Sequence, residues 1–118
     1  MSWLFVFVGG GLGSLLRYSL SVFLLKNWEG SFPLATFISN VLSCLILIFV
    51  VLFYEHFQIN SRLFRIGLMV GFCGGFSTFS TFSYETVILI KNGNHLVAAG
   101  NVILSVAVCL ILIYKLTK

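Results

Sequence analysis

Four long apolar stretches dominate this chain, and they leave it very few folds. Residues 3–25 carry one charge, Arg17, and residues 33–54 carry none. Residues 66–90 again carry one, Glu85, and residues 96–114 none. At about 1.5 Å of rise per residue, helices of these lengths cross a hydrocarbon core of roughly 30 Å. Strands of outer-membrane barrels alternate over only about ten residues, so helices are expected. Charged residues make up 8% of the 118, against about 25% in a soluble domain. That excludes a water-facing globule, and such high hydrophobicity excludes disorder. The first stretch has neither a basic leading region nor a small-x-small cleavage site, so it reads as a span rather than a removed signal. The expected fold is all-α, a single domain of four transmembrane helices over 1–118.

Most chemistries have nothing to stand on. Cys44, Cys73 and Cys109 are odd in number, lie inside spans and show no metal spacing, which makes them packing residues. Glu29, Glu55 and Glu85 fall in separate segments, so paired-carboxylate catalysis is not indicated. Gly9-Gly10-Gly11-Leu12-Gly13 imitates part of a nucleotide-binding motif, but Ser14 stands where the pattern needs Gly and no strand precedes it. Gly9 and Gly13 are better read as a close helix-packing pair. The basic residues are scattered singly, which does not make a nucleic-acid interface. His56 and His95 sit at span ends and read as loop residues.

Polar placement inside the spans is more informative, because an unsatisfied polar group in lipid costs several kcal/mol. Thr36, Asn40, Ser43 and Cys44 share one helical face, and Asn101, Ser105 and Cys109 share another. Each stripe alone fits helix–helix hydrogen bonding; two together point to a polar pathway. In the third span Gly67, Gly71 and Gly75 recur every four residues, before a Ser/Thr/Phe run from Phe76 to Glu85. That composition predicts a broken helix, whose freed carbonyls suit a cation and whose freed amides suit an anion. Phe79 and Phe82 share a face there. Arg17 and Glu85, the two intramembrane charges, are functional candidates by default. Arg17 either snorkels or concentrates anions in a vestibule, and Glu85 pairs near a helix end or takes part in transport.

Gly71-Phe72-Cys73-Gly74-Gly75-Phe76-Ser77-Thr78-Phe79-Ser80-Thr81-Phe82-Ser83 resembles the signature of the small bacterial fluoride channels (Fluc, also called CrcB). Residues 10–18, with Gly13 and Arg17-Tyr18, are similar to that family's first helix, and Thr36 with Asn40 to its second. The resemblance implies an antiparallel, dual-topology dimer with two fluoride pores and a central sodium ion. It implies pore roles for Asn40, Phe79, Phe82, Ser80, Thr81 and Ser105, and sodium-binding carbonyls at Gly74 and Ser77. Asn101 stands where the family pattern has Tyr, Cys109 where it has Ser or Gly, and Ser77 replaces Thr.

The expected function is therefore a passive, fluoride-selective channel of the cytoplasmic membrane that lets fluoride leave the cell, and not an enzyme. Neutral donors suit it, since a cationic ligand would hold the ion too tightly for conduction. A small multidrug exporter would need a carboxylate in the first helix, which has none; a scaffold would leave the aligned stripes unused. With the two ends and the second loop on one side, that side holds Arg62, Arg65, Lys115 and Lys118. Lys26 and Lys91 lie opposite, joined by Arg17 if it is counted with the first loop. So small a bias need not fix orientation. A homodimer inserted both ways is the expectation, and pairing with an oppositely oriented homologue is the alternative.

Overall fold

Each apolar stretch forms a helical span in the computed structural model, which describes residues 1–117. No strand occurs among the described residues, and Lys118, one of the basic residues counted above, lies outside them. Helix α1 is Ser2–Leu25 and α2 is Leu34–Phe57. Pro33 precedes α2, where its missing N–H costs nothing, and Gln58 ends it in the left-handed region at φ 50°. The third span comprises α3 (Arg62–Ile66), a wide-turned π-helical stretch (Gly67–Cys73), α4 (Gly74–Phe76) and α5 (Phe79–Lys91). After Gly93, at φ 83°, α6 runs over His95–Leu116. The chain is a multi-pass membrane protein by the length and hydropathy of these four spans.

Between α4 and α5 the backbone is extended. Ser77 lies at ψ 159° and Thr78 at φ −151°, ψ 122°. The Gly and Ser/Thr run has weak helical preference, and Ser and Thr offer the backbone rival hydrogen bonds. Thr78 makes that offer: its hydroxyl accepts the Thr81 N–H at 3.2 Å and caps α5.

Glycine lets α1 lie directly on the third span. A Cβ at Gly9 would collide with the Gly67 carbonyl, one at Gly13 with the Phe72 carbonyl, and one at Gly75 with the Gly10 carbonyl. A Cβ on Gly71 would come within 2.9 Å of the Val6 carbonyl. The expected close packing at Gly9 and Gly13 is thus observed, and the four-residue glycine rhythm of the third span is its other half. Helix α2 packs against the third span and α6, and α6 packs on α5. Phe76, 2% exposed, fills the centre, while Phe7, Phe49 and Ile103 face outward as lipid-side residues do.

Candidate functional site

The α2 stripe lies along the third span, and each hydroxyl or amide in it finds a partner there. Thr36 Oγ1 donates to Glu85 Oε1. Four residues on, Asn40 Oδ1 accepts the Thr78 N–H at 2.8 Å while Asn40 Nδ2 donates to the Thr78 carbonyl at 3.3 Å. Ser43 Oγ donates to the Cys73 carbonyl at 2.9 Å, joined there by Ser77 Oγ, also at 2.9 Å. The stripe therefore does two things at once. It ties α2 to the break, and at the Thr78 N–H it supplies a partner that the broken helix no longer offers.

The Asn40 pair fixes the amide. Because Thr78 N–H can only donate, Oδ1 must face it, and Nδ2 is left with one N–H for Thr78 and one to spare. Asn40 itself lines a groove of about 290 Å³ together with Phe79, Phe82, Ser105, Cys44 and Cys109, with Ser77 and Thr78 also in its wall. None of its lining residues carries a formal charge. The Phe79 and Phe82 rings lie 5.9 Å apart between centroids, tilted by 37°. Phe79 is 80% exposed, at the groove's open side.

The remaining site candidates are distributed. Ser105, 6% exposed, donates its proton to Asn101 Oδ1 at 3.2 Å, and Asn101 Nδ2 donates to Thr86 Oγ1 at 2.9 Å. Asn101, 1% exposed, thus braces α6 against α5 behind the groove, whereas Cys109 lies in its wall. Thr81 lines a separate polar cavity of about 260 Å³ with Arg17, Ser14, Tyr18, Ser21 and Ser39. Ser80 is exposed beside Thr78, their hydroxyl oxygens 3.4 Å apart, and lines neither space. Arg17 Nε donates to the Gly75 carbonyl at 3.0 Å, so the span's one cation is fastened beside the break. Glu85 accepts from Thr36 in the first turn of α2, so its partner lies at a helix end as expected.

Three contributors escaped the sequence reading. Thr78 is both the cap of α5 and the partner of Asn40; a Thr opening a new helix after a Gly-rich stop was the available signal. Thr86 carried no signal, since its role exists only because Asn101 faces it. Ser39 is buried with its hydroxyl unpartnered, at the wall of the Arg17 cavity, and spacing placed it off the stripe.

Residues 4–115 match the family described as CrcB-like protein, Camphor Resistance (CrcB). The chain is 40% identical over 110 residues to a Clostridium perfringens (strain 13 / Type A) protein named fluoride-specific ion channel FluC, covering 93% of this chain and 86% of the relative. Under the same name, a Pyrococcus abyssi protein is 43% identical over 113 residues, 94% of this chain and 89% of its own. A third, from Coxiella burnetii (strain CbuK_Q154), is 40% identical over 111 residues, 93% and 90% of the two chains. These relatives are channels by name, not enzymes.

Proposed function

Because the chain belongs to the CrcB-like family, we propose that it is a passive, fluoride-selective channel through which fluoride leaves the cytoplasm, lowering fluoride toxicity. The observation that carries this reading is the convergence of Asn40, the Phe79 and Phe82 rings and Ser105 on one groove without formal charge. Fluoride is small and strongly hydrated, so its path must replace water with convergent donors. Asn40 supplies an N–H. Aromatic ring edges are electropositive and stabilise an anion without a fixed charge. The amino end of α5, at Phe79, adds the positive end of a helix dipole. Binding by such neutral groups is strong enough for entry and weak enough for departure.

Ser105 contributes by rotation: its proton is engaged by Asn101, and turning it to the ion exchanges one partner for another. Arg17, held at Gly75 beside a polar cavity, raises the local anion concentration before the neutral path begins. Thr81 belongs to that antechamber, and Ser80, beside Thr78, stays outside both spaces.

We assign the pore to an antiparallel dimer, homodimeric first and heteromeric with an opposed homologue as the second form. Its support is the open side of the groove, where Phe79 has no cover, and the weak charge bias between the two sides. The residues also fit the sodium ion. The helical donor to the Gly74 carbonyl would be the Thr78 N–H, which goes to Asn40 instead; that to the Ser77 carbonyl would be the Thr81 N–H, which goes to Thr78 Oγ1. Two carbonyls relieved of their donors suit a hard cation, and a Cβ on Gly74 would meet nothing within 4 Å, leaving that side open to a partner. When bound, sodium supplies a fixed positive charge between the protomers. Fluoride efflux from liposomes containing this chain alone, with chloride as control, tests the reading.

A further inference from the structure

Cys44 on α2 and Cys109 on α6 are free thiols, each part-exposed, and both line the groove. Helices α2 and α6 pack against each other, so the two cysteines line the same groove from two adjoining helices. Cys73 differs: it is 4% exposed and does not line the groove. The pair sits beside Asn40 and Ser105, with no acid, His or Lys among the groove's lining residues to compete for a bound cation.

We propose that Cys44 and Cys109 form a two-thiol site for a soft, linearly coordinating metal cation, and that the occupied site obstructs the groove. Sulfur ligands select soft ions over the hard cations that oxygen prefers. No group of three His, Cys, Asp or Glu able to hold a metal occurs among the described residues, so a closed tetrahedral zinc site is not on offer. Two sulfurs satisfy mercuric ion, which takes two ligands in line. Each thiol gives up its proton, two S–Hg bonds replace the two Hg–Cl bonds of mercuric chloride, the protons and chlorides pass to water, and no electron is transferred. The second thiol binds intramolecularly, so the pair should hold the ion at least about a hundredfold more tightly than one cysteine. Thiol binding is independent of what the groove conducts; only the obstruction rests on the fluoride-channel reading.

The test titrates the purified, assembled protein with mercuric chloride, counts reactive thiols, and then challenges with glutathione. Wild type should lose two thiols per mercuric ion and keep the metal. Cys44→Ser and Cys109→Ser should release it at about a hundredfold lower glutathione, while Cys73→Ser behaves as wild type; the Ala replacements serve where a Ser form fails to elute as the wild-type assembly. Equal retention by the Cys44 or Cys109 variants, or loss of the metal only in the Cys73 variant, would overturn the site. In liposomes, mercuric ion should stop fluoride efflux of wild type, and each single variant, measured against its own metal-free efflux, should recover at about a hundredfold lower glutathione. Bound metal with efflux unchanged would overturn the obstruction, and fluoride efflux without metal reports on the channel reading separately.

Discussion

Asn40 and Thr78 hold each other through both ends of an amide: the Thr78 N–H reaches Asn40 Oδ1 at 2.8 Å, and Asn40 Nδ2 reaches the Thr78 carbonyl at 3.3 Å. The first bond captures a donor that an unbroken helix would have spent on Gly74. One polar side chain in the groove's lining thereby stabilises the break and frees a carbonyl. Asn40→Asp keeps the acceptor for Thr78 but replaces donors by a negative oxygen. Fluoride efflux should fall to that of protein-free liposomes, while the protein still elutes as the wild-type assembly.

The two rings give a second expectation. Phe79→Ile and Phe82→Ile retain bulk and remove the electropositive edge, so each should slow efflux without altering assembly, and the double variant should slow it further. Normal conduction by a well-assembled double Ile variant would reduce the rings to packing.

Helix α1 should be intolerant of size at its contact glycines. Gly13→Val places methyl groups against the Phe72 carbonyl, and overpacking of this kind costs about 1–3 kcal/mol. Gly11, whose Cβ would meet nothing within 4 Å, is the matched control. Thermal unfolding in detergent should show a lowered midpoint for Gly13→Val and little change for Gly11→Ala.

Neighbouring serines of α2 should respond oppositely. Ser43→Ala breaks a buried 2.9 Å bond to the Cys73 carbonyl and should cost about 1 kcal/mol. Ser39→Ala removes a buried hydroxyl that has no partner, so stability should hold or rise. The same unfolding assay separates them; equal losses would mean that a bound water or ion satisfies Ser39.

The spans were legible because hydropathy is a local property, though helices outrun their apolar cores. The third begins at Arg62 rather than near residue 66, its arginines lying at the end where they need not enter hydrocarbon. Spacing also identified which residues share a face: Thr36, Asn40 and Ser43 do form one stripe, and Asn101 with Ser105 another. It could not identify what stands opposite. That Asn40 meets Thr78, that Asn101 meets Thr86 and accepts from Ser105, and that Ser39 meets nothing are facts of helix pairing, which spacing along one helix does not contain. For the same reason Thr81 and Phe82, adjacent in sequence, open on different cavities.

Orientation is open to direct labelling. For a homodimer inserted both ways, a single Ser2→Cys on a background with the native cysteines replaced should react with an impermeant maleimide from both sides of the membrane, and chain expressed alone should conduct. Labelling from one side only, with flux restored by an opposed homologue, would assign the heteromeric form.

The most direct measurement is ion efflux from liposomes containing this chain alone, loaded with fluoride or with chloride, with no ATP and no proton gradient. A fluoride channel gives rapid fluoride release down its gradient and chloride release at the level of protein-free vesicles. Chloride release matching fluoride, or fluoride release that needs an imposed proton gradient, would contradict it.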